Sequence, residues 1–325
     1  MSKYILKRIL FLIPIMLGVS FIVFGLLYIT PGDPARNVLG PSASEEAVAD
    51  LRQEMGLDDP FLVQYGRYVK DIVTKGDLGN SYISKAPVVK EIFSRAGSTL
   101  RLAVLAISFA ILLGIPIGII SAVKQYSIFD NITMIFALVG ISMPVFWLGL
   151  LLIMLFSVNL GWLPSSGFDT PAQMVLPAIA LGSQSVSVIT RMTRSSMLEV
   201  IRKDYIKTAR AKGQKENIVI WRHALGNALI PIITIIGIQF GQLMGGALMT
   251  EVIFSIPGIG RLMVDSIKMR DTPMVLGCVL FVAVAFSIVN LIVDLLYTFV
   301  DPRIKTKYVL EASNGKIKNR KKRAI

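Results

Sequence analysis

Long apolar runs, rather than an alternation of apolar and polar positions, set the pattern of this chain. Six stretches, at residues 9–29, 100–123, 132–158, 172–189, 228–250 and 274–300, come close to the length of a membrane-crossing helix. About 20 mostly apolar residues are needed to cross ~30 Å of hydrocarbon. Each crossing segment must satisfy its own backbone polar groups, so the runs predict helices. A membrane barrel would need short alternating strands, and the sequence has none. The fourth run is the weakest, because Ser183, Gln184, Ser185 and Ser187 dilute it.

The polar segments between the runs carry their own patterns. Residues 31–98 form an insert between the first two runs. Ser44 precedes Glu45 and Glu46 and an apolar spacing at Val48, Leu51 and Met55, which predicts a capped amphipathic helix. A second helix is predicted from Pro60 onward, and Asp77-Leu78-Gly79-Asn80-Ser81 predicts a turn. Residues 251–261 are too apolar for a solvated loop, yet Pro257, Gly258 and Gly260 break helix, so a packed irregular element is expected. Gly237, Gly241 and Gly245 recur at every fourth position, a spacing suited to close helix packing or to a sliding interface.

Composition agrees with a membrane protein. Of 325 residues, 54% are hydrophobic and only 17% charged, against about a quarter in soluble domains. The net charge of +13 raises the question of nucleic acid. Its distribution answers it. The basic residues gather at the N-terminus, in residues 190–227 and in the tail, without interleaved aromatics for stacking bases. That is the positive-inside bias of a multi-pass protein with cytoplasmic N- and C-termini. The first run follows Lys3, Lys7 and Arg8, is long for a signal peptide and ends in Thr30-Pro31-Gly32-Asp33-Pro34, so it is expected to be a retained span.

The organisation expected is therefore an all-α integral membrane protein with six transmembrane helices. Residues 1–30 form the cytoplasmic end and first span, and 31–98 a small extracytoplasmic insert. Residues 99–300 form a five-helix core containing a cytoplasmic loop at 190–227, and 301–325 a basic cytoplasmic tail.

Candidate chemistry is sparse. Cys278 is the one cysteine and His223 the one histidine, and no spacing of Cys, His, Asp and Glu suggests a metal site. No phosphate-binding Gly-rich loop ending in Gly-Lys-Ser/Thr is present, so ATP, if it drives this protein, binds another chain. Only Asp294 places an ionisable group clearly within a span, near one end, which argues against a self-contained ion-coupled pump. Sodium held by backbone carbonyls stays open.

Residues 190–227 carry the strongest functional signal. Helix formers run through Tyr205, Lys207, Thr208, Ala209, Arg210, Ala211 and Lys212 to Gly213. Glycine there predicts a left-handed helix stop. A second amphipathic stretch follows with Ile218, Val219, Ile220 and Trp221. The loop reads as helix, glycine elbow, helix. Its small residues admit close approach of a partner, and Arg210 and Lys212 offer donors to carboxylates.

Here the sequence resembles the permease subunits of binding-protein-dependent ABC importers. Their cytoplasmic signature is Glu-Ala-Ala, three residues, then Gly. Lys207-Thr208-Ala209 and Gly213 occupy those places, with Lys in place of Glu. The Thr-Ala-Arg-Ala-Lys-Gly form is similar to the oligopeptide/dipeptide branch. So are Pro31-Gly32-Asp33-Pro34, Gly56-Leu57-Asp58, Gly76-Asp77-Leu78-Gly79, residues 227–231, residues 254–260 and Asp301-Pro302-Arg303. The resemblance implies a type I ABC importer permease fold in a prokaryotic cytoplasmic membrane. It also implies a second homologous permease, two ATPase subunits that bind ATP and Mg, an extracytoplasmic binding protein, no cofactor in this chain and no nucleic-acid partner. It further implies that the helix ending at Gly213 couples to an ATPase, through Tyr205 and residues 207–213. Peptides are the implied cargo. Nickel, a metal–chelator complex, glutathione or a glycoside remain alternatives within the family, and an ion-coupled secondary transporter outside it.

Overall fold

Because an apolar run in hydrocarbon must close its own hydrogen bonds, every run folds as helix. The computed structural model describes residues 2–300, with side chains described over residues 10–292. The Lys3, Lys7, Arg8 and Asp294 side chains and the basic tail at 301–325 lie outside the described residues. The helices are α1 (Ser2–Ile29), α2 (Pro34–Leu39), α3 (Glu45–Glu54), α4 (Phe61–Lys75), α5 (Val88–Val123), α6 (Ile128–Ser142) and α7 (Val145–Leu152). After these come α8 (Pro171–Ile201), α9 (Asp204–Ala211), α10 (Glu216–Ile218), α11 (Leu225–Ile253), α12 (Ile259–Met269) and α13 (Thr272–Val300). Two π-helical segments, Ile153–Asn159 and Val219–Ala224, follow α7 and α10.

Among the described residues, five helical segments are long and apolar enough to cross a membrane: Leu10–Ile29, Val88–Val123, Pro171–Ile201, Glu216–Ile253 and Thr272–Ile292. Helices α6 and α7 together pass as a sixth, broken span. The expected continuous helix at 132–158 is thus corrected. Pro144 has no N–H to give and disfavours helix in the residue before it, so α6 stops. The Pro144 carbonyl then accepts the amides of Trp147 and Leu148, both at 3.1 Å, and starts α7. Helix α5 begins well before the expected residue 100, and its 36 residues are more than a crossing needs. Helix α8 likewise runs on to Ile201, and residues 216–253 form one uninterrupted helical run. Between these two helical runs lie residues 202–215, which contain α9.

The chain divides into two compact units. The first comprises the chain up to Phe109, Ser142–Gln184 and Phe240–Ser287. Within it α4 packs along α1 through aromatic edges. Phe21 and Phe61 lie 5.4 Å apart at 80°, and Tyr65 donates its hydroxyl hydrogen to the Leu17 carbonyl at 2.9 Å. Ser44 caps α3 as predicted, accepting the Ala47 amide at 3.2 Å. Asp33 caps α2 and receives Arg52 at 3.0 Å. The turn before α5 is held by Asp271, which accepts the Ser81 hydroxyl and, at 3.0 Å, the Tyr82 amide. Burial together with Asp271 pushes the Tyr82 hydroxyl up to about 12.

Residues 251–261 are packed, as their apolar composition predicts. Phe254, Ile256 and Ile259 are buried. At the centre of this element the fully buried Glu251 carboxylate accepts the Thr99 hydroxyl at 2.6 Å and the Arg261 amide at 3.1 Å. A Cβ at Gly258 would strike the Glu251 carboxylate, and one at Gly260 would strike the Leu248 backbone, 2.5 Å away. Earlier in α11, Gly245 is exposed with open space at its Cβ position, so no packed neighbour explains it.

The second unit comprises Ala110–Ile141, Ser185–Gln239 and the segment from Ile288. Gly114 and Gly118 let α5 meet α8 at backbone distance. A Cβ on Gly118 would stand 2.7 Å from the Thr190 carbonyl oxygen. Asp130, at the start of α6, is buried and takes Arg194 of α8 in a two-pronged ion pair, with both contacts at 2.6 Å. Ser121 and the Tyr126 amide complete the carboxylate's partners.

Candidate functional site

Helix α9 is anchored through its buried side. In the eight-residue sequence Asp204–Ala211, Ile206 is the fully buried side chain. It joins a core made with Ile119, Met197, Val219, Ile220 and Ala224. Fully burying such a side chain is worth about 1.5–3 kcal/mol. Ala209 packs at the edge of the same core, and the other side chains of the helix are exposed.

Each residue of the sequence-predicted set is found on this helix or its stop. Tyr205, Lys207, Thr208, Arg210, Ala211, Lys212 and Gly213 are exposed, and Ala209 is half-buried. Lys207 pairs with Asp204 at 2.9 Å and holds that carboxyl below its usual range. Thr208 returns its hydroxyl hydrogen to the Asp204 carbonyl at 3.0 Å, one turn back in the same helix. Arg210 crosses the elbow to grip Glu216 with Nε at 3.0 Å and Nη2 at 2.6 Å.

The elbow itself forms at Gly213, whose φ is +76° and whose Cβ position is open. Its amide closes on the Arg210 carbonyl at 2.9 Å, and the Lys212 amide on Thr208 at 3.0 Å. These bonds occupy the carbonyls that the helix end would leave unpaired. Beyond the elbow, Gln214 hydrogen-bonds His223 at 2.7 Å, and the π-helical turn Val219–Ala224 buries Val219, Ile220 and Ala224 under α9. His223 thus braces the elbow. Exposed Tyr205, Ile218 and Trp221 give the segment an apolar component beside its cations.

Sequence reasoning missed two participants. Ile206 is a single apolar residue in a polar segment and gives no periodic signal. Glu216 lies six residues from Arg210, a spacing that pairs only once the chain has turned at Gly213. The arrangement can present a short, rigid, solvent-facing helix.

Comparison with known proteins decides the family. Residues 1–112 match the N-terminal model, and residues 114–306 the main model, of the binding-protein-dependent transport system inner membrane component. The chain belongs to this family. Among relatives of this permease, the dipeptide transport system permease DppB of Alkalihalophilus pseudofirmus is 45% identical over 333 residues, covering 94% of this chain and all of that protein. The glutathione transport system permease GsiC of Salmonella paratyphi A is 45% identical over 307 residues, with 94% of this chain and the whole of that protein covered. The MetNI methionine ABC transporter in an inward-facing conformation superposes with a TM-score of 0.55 at 20% identity, over 65% of this chain and 96% of that chain. That likeness shows the fold of an ABC importer permease. The protein is an all-α, multi-pass membrane permease subunit of an ABC importer, and the hydrolysis of ATP is not the work of this family of subunits.

Proposed function

We propose that this permease forms half of a translocation pathway for short peptides delivered by an external binding protein. A second, homologous permease supplies the other half. Two ATPase subunits bind ATP and Mg, and α9 docks on one of them through Tyr205 and residues 207–213. The N- and C-termini and α9 face the cytoplasm, following the Lys and Arg bias of residues 190–227 and the tail. The observation that carries the peptide reading is the 45% identity to a dipeptide permease over 94% of the chain.

Force passes through α9 in a simple way. ATP-driven closure of the ATPases moves the docked helix. Ile206 and the core around it carry that motion into α5, α8 and α11. ATP binding then biases a two-state equilibrium through contacts made differently in each state.

A second reading has equal identity behind it, since a glutathione permease is also 45% identical. Competition separates the two. In cells bearing the complete transporter, excess unlabelled dipeptide should abolish uptake of a labelled dipeptide, and excess glutathione should leave it. The reverse pattern assigns glutathione instead.

A further inference from the structure

A groove of about 490 Å³ lies between α6 and α8 within the second unit, apart from α9. Its volume falls in the range of small-molecule sites, about 300–1,000 Å³. One end is polar. Arg191 and Ser195, four residues apart on α8 and both exposed, stand there with Arg194. The rest of the lining is apolar, from Met134, one turn beyond Asp130, to Ile141 of α6 and Val188 of α8. The two helices run antiparallel, because Asp130 at the start of α6 meets Arg194 near the end of α8. Polarity therefore changes along the groove from one end to the other.

The charge at the polar end is not balanced. Arg194 gives Nε and Nη2 to Asp130 at 2.6 Å each, so that pair is neutral. Arg191 has no ion-pair partner among the described residues. The apolar run of α8 ends at Ile189, two residues before Arg191, a position that suits the level of lipid headgroups. An arginine there, beside an apolar trough leading inward, is complementary to a molecule with an anionic head and hydrocarbon tail.

We propose that this groove binds an anionic phospholipid. Its phosphate accepts from the Arg191 guanidinium and the Ser195 hydroxyl, and one acyl chain lies along Met134, Ile141 and Val188. A peptide carboxylate could also meet Arg191, but a peptide backbone continuing inward would lose its hydrogen bonds against those apolar walls.

Native mass spectrometry tests this on the full-length chain, purified in detergent and equilibrated with vesicles of equal phosphatidylglycerol and phosphatidylcholine. Wild-type protein should retain phosphatidylglycerol in preference to phosphatidylcholine. Arg191→Gln should lower that retention about fivefold, the factor one basic residue contributes near an anionic surface. Val188→Trp, which fills the apolar end while keeping the charge, should lower it as well. Arg222→Gln removes an exposed cation elsewhere and should change nothing. Equal retention in wild type and both groove variants overturns the proposal. So does displacement of the lipid by a free dipeptide, or photo-crosslinking of a partner permease in native membranes from a benzophenone attached to Met192→Cys.

Discussion

At Gly213 the backbone takes a conformation that a side chain resists. Its φ is +76°, and the space around its Cβ position is open. An L-residue in this left-handed region costs about 1–2 kcal/mol, and the open space means no clash is added. Gly213→Ala should therefore insert normally and transport at a reduced rate. Gly213→Pro is harsher. Proline holds φ at about −65° and has no amide hydrogen. The bond to the Arg210 carbonyl is lost with it, so α9 loses its stop and its aim. Uptake should fall at least tenfold while the amount of protein in the membrane fraction is unchanged. Normal uptake by the proline variant refutes the elbow's role. Glu251 raises a different question, because a carboxylate is buried with a hydroxyl and an amide as partners and no cation among its hydrogen bonds. Glu251→Gln keeps an acceptor for either the Thr99 hydroxyl or the Arg261 amide. Glu251→Ala leaves both donors unpaired, at about 1–3 kcal/mol for each buried group. Thermal unfolding in detergent should place the alanine variant well below glutamine. Similar midpoints for the two would mean the carboxylate does not hold this element together.

Helix α9 as an element combines a firm anchor with a loose rim. Ile206 is buried, while the Arg210–Glu216 pair is exposed on both sides. Such a surface pair is worth about 0–1 kcal/mol. Arg210 can exchange Glu216 for a carboxylate of another chain at small cost. A charge swap separates bracing from docking. Arg210→Glu alone should weaken co-purification of the ATPase subunits, by repelling Glu216 and by losing the docking cation. Adding Glu216→Arg restores an internal pair with reversed sign. If Arg210 docks, co-purification stays low in the double variant; if it only braces the elbow, the double variant recovers. The same element shows what the sequence discloses. Gly213 and Ser44 are legible because a single residue type satisfies a local backbone requirement. The length of α5 is not, because Lys90, Glu91 and Arg95 interrupt the apolar window while Val88 and Ile92 are buried among them. Pro144 is legible as a residue, yet the apolar run continues through it, and hydropathy does not register the missing amide. Ile206 meets its core, and Glu216 its Arg210 partner, only after the chain folds.

For the whole molecule the question is what energy source drives it. An ion-coupled carrier needs ionisable groups that take up and release their ion during the cycle. Among the described residues, the buried carboxylates are Asp130, Glu251 and Asp271. Each is already committed: Asp130 to Arg194, Glu251 to Thr99 and the Arg261 amide, Asp271 to Ser81 and the Tyr82 amide. Breaking the first by truncating Arg194 would strand a buried charge at about 3–5 kcal/mol, so it serves poorly as a site that empties on every turnover. Under the proposed function, the element this chain offers to an energy source is the exposed helix α9. Driving a two-state permease from 1:99 to 99:1 takes about 5.5 kcal/mol of differential binding. Under the proposed assembly that energy enters at α9 from the ATPases. In proteoliposomes holding the complete transporter and its binding protein, labelled dipeptide should accumulate only with ATP and Mg on the ATPase side. Accumulation should continue when ionophores collapse proton and sodium gradients. Uptake that persists without ATP and stops with the ionophores would reverse the assignment and direct the search for a coupling site to those three carboxylates.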